Sequence, residues 1–187
     1  LMQNGCDGLV PFGTTGEGPA FSVAERQALL QALLDGGIRP AQIIPATSAT
    51  AMPDAVALSA HATRLGCPAV LFIPPFYFGQ PTEAGVARSV DELIAGVGDA
   101  RLRVILYHIP QLSRVAYGFG AIGQIVQRHP RQVVGIKDST GDRLHSLRLV
   151  QSFPSLSVLV GNELDIVRNN EAGGAGSICG LANLAPR

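Results

Sequence analysis

The sequence predicts an α/β fold of the closed (β/α)8 TIM-barrel class. Short apolar runs alternate with longer helical patterns along the whole chain. The runs are mostly continuous rather than alternating, as expected for parallel strands covered on both faces. No Gly-x-Gly-x-x-Gly follows the first run, which removes the usual mark of an open, dinucleotide-binding sheet.

The strand candidates, in order, are Gly8–Phe12, Gln42–Ala46, Ala69–Ile73, Arg103–Tyr107, Val133–Ile136, Ser157–Val160 and Gly176–Ile178. Ser22 to Leu34 is the clearest helix. Ser22 and Glu25 have the spacing of a capping box, and Gly36 is expected to supply the left-handed exit. Met52 to Leu65, Glu83 to Val97 and Phe119 to His129 follow as further helices. The chain opens in what reads as a helix tail, Leu1 to Asn4, so a first β/α unit is expected upstream and would bring the strands to eight. No linker or repeat interrupts residues 1–187, which read as one catalytic domain, incomplete at both ends.

Composition narrows the function. With 47% hydrophobic and 15% charged residues the chain can bury one sizeable core. A formal net charge of zero offers no basic stripe for nucleic acid or anionic lipid. No run is apolar enough for a membrane span and no signal-peptide order is present, so the cytoplasm is the expected compartment. Cys6, Cys67 and Cys179 are far apart and read as reduced, buried thiols. The four histidines are equally scattered, with no metal-ligand spacing, so no metal is expected.

In such barrels the chemistry gathers at the carboxyl ends of the strands. Lys137 stands out there. The chain has fourteen Lys and Arg residues, and Lys137 is the single lysine among them. Arginine does not lose its proton in a protein, whereas a desolvated amine can become a nucleophile for a carbonyl. A lysine left by chance in an arginine-rich chain would sit on a helix face, not directly after Val133-Val134-Gly135-Ile136. Tyr107 closes another apolar run and offers a phenol for proton transfer, or equally a core ring with its hydroxyl on backbone. Gly13-Thr14-Thr15-Gly16 offers amides and hydroxyls in a turn that suits a carboxylate, or an ordinary strand-to-helix turn.

Together, Gly-Thr-Thr-Gly-Glu at 13–17, Tyr-x-x-Pro at 107–110 and Gly-x-Lys-Asp at 135–138 resemble the dihydrodipicolinate synthase and N-acetylneuraminate lyase family of Schiff-base aldolases and lyases. The resemblance implies a (β/α)8 barrel with extra C-terminal helices, absent from this chain. It also implies a homotetramer, no cofactor, and pyruvate or a related 2-keto acid plus an aldehyde as substrates. Lys137 would carry the Schiff base and Tyr107 would move protons. Thr14 would link Tyr107 in a hydroxyl relay and, with Thr15, hold the carboxylate. Tyr77 would reach a neighbouring subunit's site, and Gly161 and Ile178 would line the pyruvyl pocket.

One departure bears on substrate. Members that make dihydrodipicolinate place an arginine five residues after the active-site tyrosine, and here that position is Leu112, with Arg114 two residues further on. This favours an aldolase or lyase acting on a 2-keto-3-deoxy sugar acid over the synthase of lysine biosynthesis, while the presence together of Lys137, Tyr107 and Thr14 argues against a catalytically silent keto-acid-binding barrel. His108, Gln111 and Ser113 are the nearby polar side chains that could serve substrate hydroxyls, or equally be solvated loop residues.

Overall fold

A computed structural model describes residues 1–186. Five parallel strands form one sheet in sequence order: β1 (Val70–Phe72), β2 (Val104–His108), β3 (Val133–Asp138), β4 (Ser157–Val160) and β5 (Gly176–Ser177). Two earlier segments extend it through single parallel bridges, Leu9 to Ile43 and Ala46 to Leu71. These are the predicted strands Gly8–Phe12 and Gln42–Ala46. They fall short of full ladders because Pro11 and Pro45 have no N–H to give. Their remaining groups do pair: Leu9 N donates to Gln42 O at 2.8 Å, Ala46 N to Pro11 O at 2.9 Å, and Leu71 N to Pro45 O at 3.0 Å. Seven neighbouring segments thus follow sequence order with no reversal. A doubly wound sheet would reverse at a switch point, so this order is that of a barrel wall.

The helices are α1 (Val23–Asp35), α2 (Met52–Arg64), α3 (Glu83–Val97), α4 (Pro110–Ser113), α5 (Phe119–Arg128), α6 (Arg143–Ser152) and α7 (Ile166–Glu171). The capping box forms as expected, with Ser22 N donating to Glu25 Oε2 at 2.8 Å and Glu25 N to Ser22 Oγ at 3.3 Å. The left-handed exit is taken by Gly37 (φ +90°), not Gly36 (φ −74°). Leu1 to Asn4 is a single 3-10 turn rather than an α-helical tail. The three cysteines are free but half-buried, since each lies near an end of an element rather than in the core.

The core lies between the sheet and α2, α3 and α5. Leu71, Phe72, Leu106 and Ile136 come from strands and Ala55, Leu93 and Ile122 from helices, all fully enclosed. Burial at about 25 cal/mol per Å2 makes this the main stabilising contact of the fold. It also holds the strand ends, and whatever they carry, in fixed register.

Candidate active site

Strands β2 and β3 run one residue or two further than the apolar pattern suggested, so Tyr107 and Lys137 lie inside the ladder. They are direct cross-strand partners, as are His108 and Asp138 one step on. Successive strand residues face opposite sides. Tyr107 and Lys137 therefore share one face while His108 and Asp138 share the other.

Lys137 is 7% exposed and its Nζ stands 4.1 Å from the centroid of the Tyr107 ring. Among the described residues it has no hydrogen-bond or ion-pair partner. An ammonium over a ring face is stabilised by only about 1 kcal/mol, far less than a carboxylate would provide in so enclosed a place. The Tyr107 hydroxyl reaches Thr14 Oγ1 at 3.1 Å. The turn carrying Thr14 is held by Gly18 N donating to Gly13 O and by left-handed backbone at Phe12 (φ 64°) and Glu17 (φ 52°). Gly18 is obligatory there, because a methyl group would overlap the Phe12 carbonyl.

A cavity of about 240 Å3 opens beside this group, lined by Phe12, Thr14, Ser48, Tyr107, Ile109 and Leu112 among others. Lys137 lies behind the Tyr107 ring rather than in the cavity wall. Thr15 is exposed and packs near Gly180. Gly161 sits so close to Ser139 that a side chain there would displace the serine hydroxyl, and its N–H donates to Asp138 O at 2.8 Å. Ile178 N donates to Val160 O at 3.0 Å, extending the edge beyond β5. Tyr77 is 77% exposed and stacks edge-on with Phe78 at 5.0 Å, turned away from the cavity of its own chain.

None of the three polar side chains near Leu112 is free to serve a substrate hydroxyl. His108 does not face the cavity. It is buried on the opposite face, where its Nδ1 accepts from Tyr117 N at 3.0 Å. Ser113 lines the cavity, but its single hydroxyl proton is taken by the Ile109 or the Val115 carbonyl, each 3.0 Å away, and its oxygen accepts from Val115 N. Gln111 is engaged with Ser139 O. The polar lining that sequence reading missed is Ser48, whose Oγ accepts from Ile73 N at 2.8 Å and keeps its own proton to donate. Its place just past the run Gln42–Ala46 was the available signal.

Behind the site, His108, Asp138 and His145 bring their ligand atoms within 4.8 Å of one another, a cluster that no sequence spacing announced. The His108 and His145 rings stack at 4.8 Å with 15° between their planes. Lone pairs in nearly parallel planes do not converge on one point, which makes a poor metal site. The cluster instead ties β2, β3 and α6 together. Asp138 accepts from Thr140 N (3.0 Å), Thr140 Oγ1 (2.8 Å) and Ser146 Oγ (2.7 Å), and pairs with His145 Nδ1 at 2.9 Å. Burial pushes the Asp138 carboxyl up, but the hydrogen bonds from His145, Ser146 and Thr140 outweigh it and bring it to about 2. Desolvation takes His108 down to about 4, against the opposing pull of Asp138.

The model of the dihydrodipicolinate synthetase family matches residues 1–187. The chain belongs to that family. An uncharacterized DapA-like lyase of Chloroflexus aurantiacus is 38% identical, aligned over 100% of this chain and 62% of its own length. The crystal structure of dihydrodipicolinate synthase from Agrobacterium tumefaciens superposes with a TM-score of 0.94 at 34% identity, over 97% of this chain and 63% of that one. A prophage protein of the dihydrodipicolinic acid synthase family from E. coli K12, solved in complex with pyruvate, gives a TM-score of 0.89 at 25% identity, over 99% and 62%. The chain thus spans about 62% of the length of the curated relatives it matches, and its sheet corresponds to most of a (β/α)8 barrel wall.

Proposed function

We propose that the protein carrying this chain is a class I aldolase or lyase that forms a Schiff base between Lys137 and pyruvate or a related 2-keto acid. One observation carries the reading: a lone lysine amine packed on a tyrosine whose hydroxyl meets Thr14 at 3.1 Å. The neutral amine adds to the keto carbon. Tyr107, relayed through Thr14, returns a proton to the former carbonyl oxygen, which leaves as water. The resulting iminium acidifies the neighbouring C–H, and the enamine formed by its loss attacks an aldehyde carbon. Cleavage runs the same steps backwards, and water finally regenerates the amine. Thr14 and Thr15 are the candidates for the carboxylate, with the backbone at Gly161 and Ile178 along the pyruvyl pocket.

The second substrate follows from the wall of the cavity. Leu112 lines it, whereas Arg114 does not; the Arg114 stem packs against Gly79, outside. An acceptor bringing its own carboxylate would find no cation in the cavity lining to pair with directly, and an unpaired charge out of water costs several kcal/mol. Neutral or polyhydroxylated aldehydes, giving or releasing 2-keto-3-deoxy sugar acids, fit better, with Ser48 as the free donor. The exposed Tyr77 and Phe78 suit burial against a second copy, in a homotetramer. Free, unpaired cysteines suit a reducing compartment such as the cytoplasm. Among the described residues no helix is long and apolar enough to cross a membrane.

Pyruvate with borohydride should add a stable mass to the peptide containing Lys137. Substitution of Lys137 by Ala or Arg should abolish it, since a guanidinium stays protonated. Efficient trapping in either variant removes the mechanism.

A further inference from the structure

Arg26, on α1, is 3% exposed, yet it forms no ion pair among the described residues. Its guanidinium donates to Ser48 O at 2.9 Å and to Ala46 O, and lies over the Phe12 ring at 5.7 Å. Its Nε is buried without a partner. Phe12, Ala46 and Ser48 all line the cavity beside Tyr107, and Phe12 is the left-handed residue that launches the Gly13-Thr14-Thr15 turn. Asp54 is the charged group that acts on Arg26 from α2, by field alone and without contact.

A buried cation is costly, and an apolar side chain of similar volume would fill the same space without that cost. The guanidinium's direct contacts are carbonyl dipoles and a ring face, and Asp54 acts on it only from a distance. It is shielded from water, so its field extends through the cavity wall. We propose that Arg26 is a positioning residue for the carboxylate subsite: it fixes Phe12 and the 46–48 wall behind the threonine turn and supplies a positive charge without an ion-pair partner that draws a keto acid's carboxylate there. The inference rests on the keto-acid reading above. It adds a cation that acts through the wall rather than by touching the substrate.

The test compares pyruvate with its uncharged methyl ester, which offers the same ketone without the carboxylate charge. Borohydride trapping on Lys137 gives a half-saturating concentration for each, in the full-length protein. Arg26→Met should raise that for pyruvate about tenfold while leaving the ester within about twofold, the order expected from one partly screened unit charge. Arg26→Gln keeps an N–H donor for Ser48 O or Ala46 O but is neutral, and should behave as Arg26→Met does. Arg26→Lys should regain most of the discrimination. Melting temperatures identify any variant that fails to fold, and if Arg26→Met does so, Arg26→Gln decides. Equal shifts for pyruvate and ester, or no shift in either, would show that Arg26 only packs the wall. A wild-type protein that traps neither compound overturns the keto-acid reading itself, and the proposal with it.

Discussion

Removing the Tyr107 hydroxyl should separate proton transfer from everything else the residue does. In Tyr107→Phe the ring that packs beneath Lys137 Nζ, at 4.1 Å, is retained. Only the hydroxyl and its 3.1 Å contact with Thr14 Oγ1 are lost. Thr14 is exposed and can turn to water, so stability should change by less than about 1 kcal/mol, the net worth of one such hydrogen bond. Turnover should fall by about 10²- to 10⁴-fold, the usual contribution of a general acid-base. Thr14→Val removes the relay partner while leaving the phenol, and should lower kcat about 2- to 10-fold. The relay makes a sharper claim about the pair. If Thr14 acts on kcat through Tyr107, its substitution should matter little once the hydroxyl has gone, giving a coupling of about 1 kcal/mol in a double-mutant cycle. A role for Thr14 in holding the carboxylate would appear in KM instead, in both backgrounds. Steady-state kinetics of the four proteins measure both quantities. If Thr14→Val lowers kcat by the same factor with and without the hydroxyl, there is no relay. If Tyr107→Phe keeps wild-type turnover, Tyr107 is a packing residue.

Stability should fall as pH drops from 6.5 toward 4, because the unfolded chain protonates His108 near its ordinary value while the folded chain refuses the proton until about 4. The loss approaches about 3 kcal/mol at most, and His108→Asn, whose amide oxygen can still accept from Tyr117 N, should flatten that part of a urea-midpoint profile. Asp138 contributes in the other window: its depressed value stabilises the fold above the ordinary carboxyl value of 3.8, and this is lost as pH falls from there to about 2. Gly18→Ala should cost about 3 kcal/mol or more by colliding with the Phe12 carbonyl, whereas Gly123→Ala, in open space on α5, should gain up to about 1 kcal/mol; calorimetric melts that rank them the other way would contradict the packing described. Leu112→Arg should shift the ratio of kcat/KM between aspartate semialdehyde and a neutral hydroxyaldehyde about tenfold toward the former, and an unchanged ratio would show that the loop does not set acceptor choice.

The sequence by itself determined the succession of strands and the longer helices, the presence of a single lysine at a strand end, and the family. These are local or compositional properties. A continuous apolar run reads as a buried parallel strand wherever it sits, and one lysine among thirteen arginines is visible without coordinates. Its errors were local too: prolines thinned the first two strands to bridges, and Gly37 rather than Gly36 takes the left-handed turn. Helices α4, α6 and α7 went unassigned, α4 and α7 because one or two turns have no measurable period and α6 because its apolar face is narrow. Only the tertiary structure decided which face each strand-end residue presents. It sent Tyr107 and Lys137 to one side and His108 and Asp138 to the other, because a strand alternates at every residue and one position reverses the outcome. It gave the Thr14–Tyr107 contact across 93 positions its geometry, and it alone set Arg26 behind Phe12, Ala46 and Ser48. Such contacts depend on how helices pack over the sheet, and no spacing within the chain encodes them.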